Sequence, residues 1–183
     1  MLVDDFASEY DPYTKEHVNR VSILANSFAQ YLQLSNNERE ILQIGSWLHD
    51  IGKTKIDQQI LNKKGKLTTE EFEIIKKHPI WGYEILAPFG LDQRIMELVI
   101  WHHERWDGLG YPDHISNSEI PYLCRILSII DTWEAMTGIR AYRLPLTYDH
   151  AVDQLIHARG SQLDPRLTEA FISMMKGIHT FTT

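Results

Sequence analysis

The 183-residue sequence has little cysteine, no long apolar run and no excess of positive charge. The single Cys124 cannot form an internal disulfide and argues against a thiolate metal site, which fits the reducing cytoplasm where we expect the protein to reside. Arg125 interrupts the most apolar stretch, so nothing approaches the ~18 residues of a membrane span. The acidic residues 1–10 are unlike a signal peptide. A net charge of −7 argues against a nucleic-acid polymer as partner, because neutralising many phosphates takes clustered Lys and Arg.

What the sequence does have is an ordinary globular composition and many histidines. Hydrophobic residues make up 43% and charged residues 23%, which excludes disordered and fibrous proteins. A domain of this length buries roughly 70% of its unfolded surface and needs no disulfide to fold. Nine histidines stand beside one cysteine. Any metal site must therefore be built from imidazole and carboxylate groups.

Helical periodicity dominates the chain, and no stretch alternates as a strand would. Thr68 with Glu71 forms a capping-box pattern, and Asp164 before Pro165 is typical of a helix start. Pro79 predicts a kink or a break within the third helix. We therefore predict an all-α fold, a single-domain helical bundle of about seven helices over residues 1–183, with helices near 14–34, 37–49, 68–86, 92–103, 121–137, 147–159 and from 164 onward.

Several histidines and aspartates fall on inward-facing or helix-terminal positions. His17 shares a helical stripe with Val21 and Phe28 and points into the core, where a lone histidine is more often structural. A carboxylate on an apolar helix face, such as that of Asp131, is costly unless it is paired or binds a cation. Six candidates join His17 from separate parts of the chain, namely His49, Asp50, His78, His102, His103 and Asp131.

These seven side chains have the donor chemistry of a divalent metal site. Imidazole and carboxylate together suit iron, manganese, nickel or zinc better than calcium or magnesium. Seven ligands exceed what one tetrahedral zinc takes, and one carboxylate can bridge two ions. A pair of ions ~3.5–4 Å apart clamps a phosphoryl group for in-line attack. Scattered structural histidines remain the alternative on spacing alone.

The motifs around these residues resemble a known family. The run 48–53, Leu-His-Asp-Ile-Gly-Lys, is similar to the signature of the HD phosphohydrolase superfamily, and Gly110-Tyr111-Pro112 is the tripeptide of its HD-GYP subfamily. Further matching stretches are 11–17, His78 with Gly82, 102–112, Asp131 with 135–137, Arg140 with Tyr142 and Arg143, and 162–165. The resemblance spans residues 11–171.

The resemblance implies an all-α, metal-dependent phosphodiesterase that hydrolyses cyclic di-GMP to the linear dinucleotide, to GMP, or to both. It implies two divalent ions per chain, commonly iron or manganese, with nickel and zinc also suitable. Carried over by position, one ion lies among His17, His49, Asp50 and Asp131, and the other among His78, His102 and His103. Asp50 bridges them, and a hydroxide shared by the two ions is the nucleophile.

The same resemblance assigns catalytic and substrate-binding residues. Asp50 and Lys53 are the implied catalytic residues, with Lys53 reaching the scissile phosphate. Tyr111 is implied to contact the ligand, and Arg140 and Arg143 to hold phosphate oxygens. A solvated helix end remains the alternative for Lys53. Without the family pattern, two arginines three residues apart are more often part of a solvated face.

Four departures from the family pattern qualify this picture, one of which is Ile56-Asp57-Gln58 in place of the usual Ile-Pro-Asp. Some members bind a third metal through a glutamate at the position of Tyr13, a poor ligand, so we expect two metals rather than three. His114 and Asn117 replace two habitual glycines after the tripeptide, which predicts an altered loop. Gly138 begins a stretch that departs from the family next to the proposed phosphate contacts, so the substrate could differ.

Alternatives therefore remain open. A phosphodiesterase for a cyclic GMP-AMP dinucleotide or a mononucleotide keeps the chemistry and changes the substrate, whereas a non-catalytic cyclic-dinucleotide sensor would keep only binding. Because ten residues precede the first motif, the chain is either a stand-alone enzyme or part of a longer regulator with a receiver, sensory or diguanylate cyclase-type domain. Four histidines without a partner pattern are predicted at the surface, and Cys124 in the core: His114, His150, His157 and His179.

Overall fold

The structure is a computed structural model that describes residues 6, 9–138 and 144–182. Arg140 and Arg143, the two arginines implied to hold phosphate oxygens, lie outside the described residues. The remaining predicted ligands and substrate contacts all lie within them.

The described residues fold into helices whose starts are fixed by polar side chains. Asp11 accepts hydrogen bonds from the backbone N–H groups of Tyr13 and Thr14, and Ser35 forms a capping box with Glu38. The α-helices are α1 (Pro12–Tyr31), α2 (Asn36–Leu48), α3 (Gln58–Leu61), α4 (Thr69–Ile75), α5 (His78–Leu86), α6 (Gln93–Trp101), α7 (Tyr122–Thr137), α8 (Tyr148–Ala158) and α9 (Pro165–Thr182). Short 3₁₀ helices cover Ile51–Lys55, Ala87–Phe89 and Asn117–Glu119.

The all-α prediction is confirmed for the described residues. The β-type pairing found among them is an isolated bridge between Arg159 and Leu163. Seven of the helices are nine residues or longer, which agrees with the expected number. The predicted break before Pro79 is also present, because α4 ends at Ile75 and α5 begins at His78, with proline in its first turn where no intrahelical N–H is needed.

A single apolar cluster holds the helices together. Helix α1 packs against α2 and α7, α2 against α6, and α5 against both α6 and the 3₁₀ helix Ile51–Lys55. Phe28 of α1 meets Phe171 of α9 edge to face with ring centroids 5.0 Å apart, and both are fully buried. In the part of the chain that is described, no helix is both long enough and apolar enough to cross a bilayer.

Candidate metal centre

The seven predicted metal ligands come from five places in the fold and meet in one interior region. His17 lies on α1, and Asp131 on α7. His49 and Asp50 lie between α2 and the 3₁₀ helix Ile51–Lys55, and His78 is the first residue of α5. His102 and His103 directly follow α6, whereas the periodicity predicts that they lie within this helix. The fold therefore gathers side chains that are up to 114 residues apart, from position 17 to position 131.

Asp50 occupies the middle of this region. Its Oδ2 lies 3.5 Å from His17 Nε2 and 3.5 Å from His49 Nε2. Its Oδ1 lies 3.3 Å from His78 Nε2 and 4.0 Å from His102 Nε2. Each carboxylate oxygen thus faces a different pair of imidazoles. The potential ligand atoms form two groups, each within 4.8 Å, and Asp50 belongs to both: His17, His49 and Asp50, and Asp50, His78, His102 and His103.

Asp131 and His103 complete the region at its edges. Asp131 Oδ1 lies 3.1 Å from His17 Nε2, although it is not part of the compact group that His17 forms with His49 and Asp50. The His103 ring lies 4.1 Å from the His102 ring and 4.9 Å from that of Tyr111, between centroids. Asp131 therefore lies beside the first group, and His103 faces the tripeptide loop.

The other ring nitrogen of three imidazoles is held by backbone. His49 Nδ1 donates to Ser46 O at 2.9 Å, His78 Nδ1 to Ile75 O at 2.7 Å, and His102 Nδ1 to Val99 O at 2.9 Å. A carbonyl oxygen only accepts, so Nδ1 carries the proton and the Nε2 lone pair faces the cluster. This tautomer is the one that metal-binding histidines need.

Several of the inward-facing atoms lack a hydrogen-bond partner. His49 Nε2 and Asp50 Oδ1 are buried and make no hydrogen bond within the described residues. His78 Nε2 and His102 Nε2 face each other at 3.2 Å, although neither carries a proton in the tautomer set by its Nδ1 partner. Leaving such atoms unsatisfied is costly, and a shared cation would satisfy them. The donor set fits a divalent first-row metal.

Burial keeps most of the imidazoles neutral. It holds the pKa of His102 well below the ordinary value, helped by the neighbouring His103, and lowers the pKa of His103 to about 3. The pKa of His49 is also lowered by burial. Burial opposes the charge on Asp50, but Lys53 and the adjacent histidines hold its pKa well below the usual range. Neutral imidazoles around an ionised carboxylate are the forms that bind metal.

His17 differs from the other imidazoles because carboxylates surround it. Burial alone would lower its pKa, but Asp131, Glu134 and Asp50 outweigh burial and raise that pKa to about 9. Glu134 contacts His17 Nδ1 and also accepts a hydrogen bond from Arg20 Nε at 2.6 Å. Glu134 was not among the predicted site residues. The feature of the sequence that could have indicated Glu134 is its position as a second carboxylate one helical turn after Asp131, on the same face of α7.

Lys53 and Tyr111, the two described residues predicted to contact substrate, line two different cavities beside the centre. Lys53 Nζ lies 2.6 Å from Asp50 Oδ2 and lines a cavity of about 290 Å³ that also reaches His17. Tyr111 lines a cavity of about 910 Å³ that reaches His103 and Asp131. Burial raises the pKa of the Tyr111 hydroxyl, which therefore stays protonated and able to donate.

The loop that carries Tyr111 is held by a residue that the sequence analysis also missed. Glu104 is buried, and its Oε1 accepts the backbone N–H groups of Asp113 at 2.6 Å and His114 at 3.0 Å. His114 and Asn117, which replace glycines of the family pattern, have φ values of 59° and 51°. Both keep the left-handed backbone that glycine adopts without strain, so the loop keeps glycine-like geometry at these two positions.

The residues predicted at the surface and in the core have the expected burial. Cys124 is buried. Tyr13, at the position of the third-metal glutamate, lies on α1 with 53% of its surface exposed. The four histidines predicted at the surface are all exposed: His114, His150, His157 and His179.

The chain is similar to known proteins over most of its length. A family model described as HD domain matches residues 1–167. The chain is 37% identical over 171 residues to the cyclic di-GMP phosphodiesterase response regulator RpfG of Xanthomonas campestris pv. campestris, covering 91% of this chain and 45% of that protein. It is 34% identical over 176 residues to 3′3′-cGAMP-specific phosphodiesterase 2 of Vibrio cholerae, covering 93% of this chain and 34% of that protein.

A solved structure shares the fold at low sequence identity. Bd1817, an HDG"Y"P protein from Bdellovibrio bacteriovorus, superimposes with a TM-score of 0.72 at 20% identity, covering 87% of this chain and 51% of that one. The chain spans less than half the length of the two curated relatives, 45% and 34%.

Proposed function

From the premise that the chain belongs to the HD domain family and carries the Gly110-Tyr111-Pro112 tripeptide of the HD-GYP type, we propose that it is a metal-dependent phosphodiesterase of cyclic di-GMP. Hydrolysis exchanges one P–O bond of the cyclic backbone for a bond from phosphorus to a water oxygen, and the released ribose oxygen takes up a proton. The first product is the linear dinucleotide, and a second hydrolysis gives GMP.

The observation that carries this proposal is the position of Asp50 between two pairs of imidazoles. Its Oδ2 faces His17 and His49, and its Oδ1 faces His78 and His102, at 3.3 to 4.0 Å. We assign one metal position to His17, His49, Asp50 and Asp131, and the other to Asp50, His78, His102 and His103. Two divalent cations there, iron or manganese, would supply positive charge to phosphoryl oxygens and lower the pKa of water.

The larger cavity offers a place for the substrate. Its volume of about 910 Å³ lies within the ~300–1,000 Å³ typical of small-molecule sites. Lys76 and Lys77 line it and bring positive charge toward two anionic phosphates. Tyr111, protonated at neutral pH, can donate to a phosphate oxygen. Because this cavity reaches His103 and Asp131, a phosphate bound in it would lie beside the metal ligands.

Lys53 approaches the same point from the smaller cavity. Its Nζ lies 2.6 Å from Asp50 Oδ2, on a side chain that remains 24% exposed. We assign it two roles. It balances the charge of the central carboxylate, and it contacts the scissile phosphate, whose developing negative charge an ammonium group stabilises.

The proposal extends to the organisation of the protein. We propose that residues 1–183 form a single HD-GYP domain that acts in the cytoplasm. Since the relatives are more than twice as long as the region they share with this chain, we also propose that the domain works beside a receiver, sensory or diguanylate cyclase-type domain. None of these assignments alters the chemistry proposed for the centre.

An anaerobic assay tests the function directly. Protein loaded with Mn²⁺ or Fe²⁺ is incubated separately with cyclic di-GMP and with 3′3′-cGAMP, and nucleotide products are separated over time. We expect cyclic di-GMP to give the linear dinucleotide and then GMP. Faster turnover of 3′3′-cGAMP would move the substrate to the mixed dinucleotide. Tight binding without turnover, in protein of full metal content, would contradict the enzyme proposal and indicate a sensor.

The Asp50→Asn variant links that activity to the centre. The change keeps the size of the side chain and removes the charge that both imidazole pairs share, so we expect loss of bound metal and at least a ~100-fold loss of turnover. Circular dichroism should show an unchanged helical content. The matched control is Asp153→Asn on the exposed face of α8, which should keep metal and activity. Full activity of Asp50→Asn would place the site elsewhere.

A further inference from the structure

His17 is oriented differently from the imidazoles around it. His49, His78 and His102 each donate Nδ1–H to a carbonyl three residues earlier in their own segment of the chain. The Nδ1 of His17 instead meets the carboxylate of Glu134, which lies 117 residues away on α7. The orientation of His17 therefore depends on a side chain of another helix, whereas the other three depend on local backbone.

Glu134 is itself held in place. It is buried, with 2% of its side chain exposed, and its Oε1 accepts the Nε–H of Arg20 at 2.6 Å. Arg20 lies one turn after His17 on α1 and also pairs with Glu16 Oε1 at 2.6 Å. A Cβ at Gly138 would overlap Glu134 Oε1, so the glycine that follows α7 leaves the space that this carboxylate fills. Both oxygens of Glu134 are thus fixed, one toward His17 and one toward Arg20.

We propose that Glu134, held by Arg20, is a positioning residue that orients His17 and sets the affinity of one metal position. That position is the one formed by His17, His49, Asp50 and Asp131. The other position, formed by Asp50, His78, His102 and His103, is independent of Glu134. The inference rests on the dinuclear centre proposed above, and it adds an asymmetry that the centre alone does not imply.

The chemical reason is the nature of the acceptor. An ionised carboxylate accepts Nδ1–H more strongly than a carbonyl does, which fixes the tautomer and makes Nε2 a better donor to a metal. The interaction also sets the ring plane, because the Glu134 carboxylate takes the place at His17 Nδ1 that a local carbonyl takes at His49, His78 and His102. Loss of such a partner typically weakens metal affinity by ~10–100-fold.

Zn²⁺ titration of three proteins tests this inference. The native chain, Glu134→Gln and Glu134→Ala are titrated in competition with a chelator. Glu134→Gln keeps an acceptor without charge, so we expect about 10-fold weaker binding at one position. Glu134→Ala keeps neither, and we expect about 100-fold weaker binding there. The second position should bind Zn²⁺ as in the native chain. The control is Glu169→Gln, which breaks an exposed ion pair with Arg159 and should change neither position.

Proton–nitrogen NMR spectra of the Zn²⁺-loaded proteins distinguish a role of Glu134 in positioning His17 from a role in the stability of the fold. In the native protein, the His17 Nδ1 proton should be protected from exchange and shifted far downfield by the carboxylate. In Glu134→Ala that signal should be lost while those of His49, His78 and His102 stay. Equal weakening of both positions, or lower thermal stability with both affinities unchanged, would overturn the inference. A native chain that binds no Zn²⁺ would overturn the proposed centre itself.

Discussion

At the residue scale, the imidazoles of the centre carry different charges in the metal-free chain. Carboxylates on three sides raise the pKa of His17 to about 9, so a proton lies on Nε2 between Asp131 and Asp50. Burial lowers the pKa of His102 and His103, which remain neutral. In one half of the centre a metal must therefore displace a proton, whereas in the other half the lone pairs are already available.

These opposite shifts predict how the stability of the metal-free chain depends on pH. The raised pKa of His17 contributes stability that is fully present below about 6.5, the pKa of a histidine in the unfolded chain. This stability is lost as pH rises through about 9. A lowered histidine pKa acts in the opposite sense, since stability is lost as pH falls below about 6.5. We expect the free energy of unfolding in chelator to be highest near pH 6.5 and to fall toward pH 5 and toward pH 9, as measured by urea denaturation.

One variant and its control test the alkaline side of this profile. His17→Gln should remove the alkaline loss, on the order of 3 kcal/mol at ~1.4 kcal/mol per pKa unit, and keep the acid loss. His150→Gln, an exposed histidine on α8, should leave both sides unchanged. The carboxylates with lowered pKa titrate below this window and do not obscure it. A profile that rises steadily to pH 9 in the native chain would contradict the charge assigned to His17.

At the element scale, the centre depends on how closely the 3₁₀ helix Ile51–Lys55 approaches α5. Gly52 lies in the 3₁₀ helix and is buried against α5, where an added Cβ would overlap the carbonyl oxygen of His78. Gly82, one turn further along α5, faces the same contact, where its Cβ would come 2.8 Å from Val99. Glycine at these two positions lets Asp50, just before the 3₁₀ helix, reach the imidazole of His78.

Gly52→Ala should therefore separate these two elements. The clash is with backbone atoms, which cannot move aside as the end of a side chain can, so we expect a loss of ~3 kcal/mol in the free energy of unfolding. Urea denaturation of the metal-free protein measures it. The control is Gly65→Ala, where no atom lies within 4 Å of the added Cβ. That control should stay within ~1 kcal/mol of the native chain. Equal stability of the two variants would show that the approach is not tight.

The same elements show what the sequence could and could not predict. Capping boxes at Ser35 and Thr68 and the break before Pro79 follow from local chemistry, and such features predict helices well. The 3₁₀ helix Ile51–Lys55 and the four-residue α3 were not predicted, because they are too short to show a helical period. The resemblance to the family motifs selected the seven candidate ligands, which the fold brings into one region. Glu134 was missed because its partner His17 lies 117 residues away, a distance that only the folded chain closes.

At the scale of the whole molecule, the candidate ligands join segments that the apolar core also brings together. They come from α1, the end of α2, the start of α5, the end of α6 and the middle of α7. In the metal-free chain this region holds unpartnered buried atoms and close imidazole pairs, which oppose folding. A cation that binds only the folded chain would convert that local cost into stability of the entire helical bundle.

Metal should therefore raise the thermal stability of the whole protein by a large and specific amount. At a free concentration 100 times Kd, each site adds ~2.7 kcal/mol. With ~2–4 °C per kcal/mol for a domain of this size, two sites should raise Tm by roughly 10–20 °C when Mn²⁺ replaces chelator in calorimetry. Asp50→Asn should lose most of the rise, because both positions share that carboxylate. His157→Gln, an exposed histidine, should keep all of it. A similar rise in Asp50→Asn would mean that the metal binds at the surface instead.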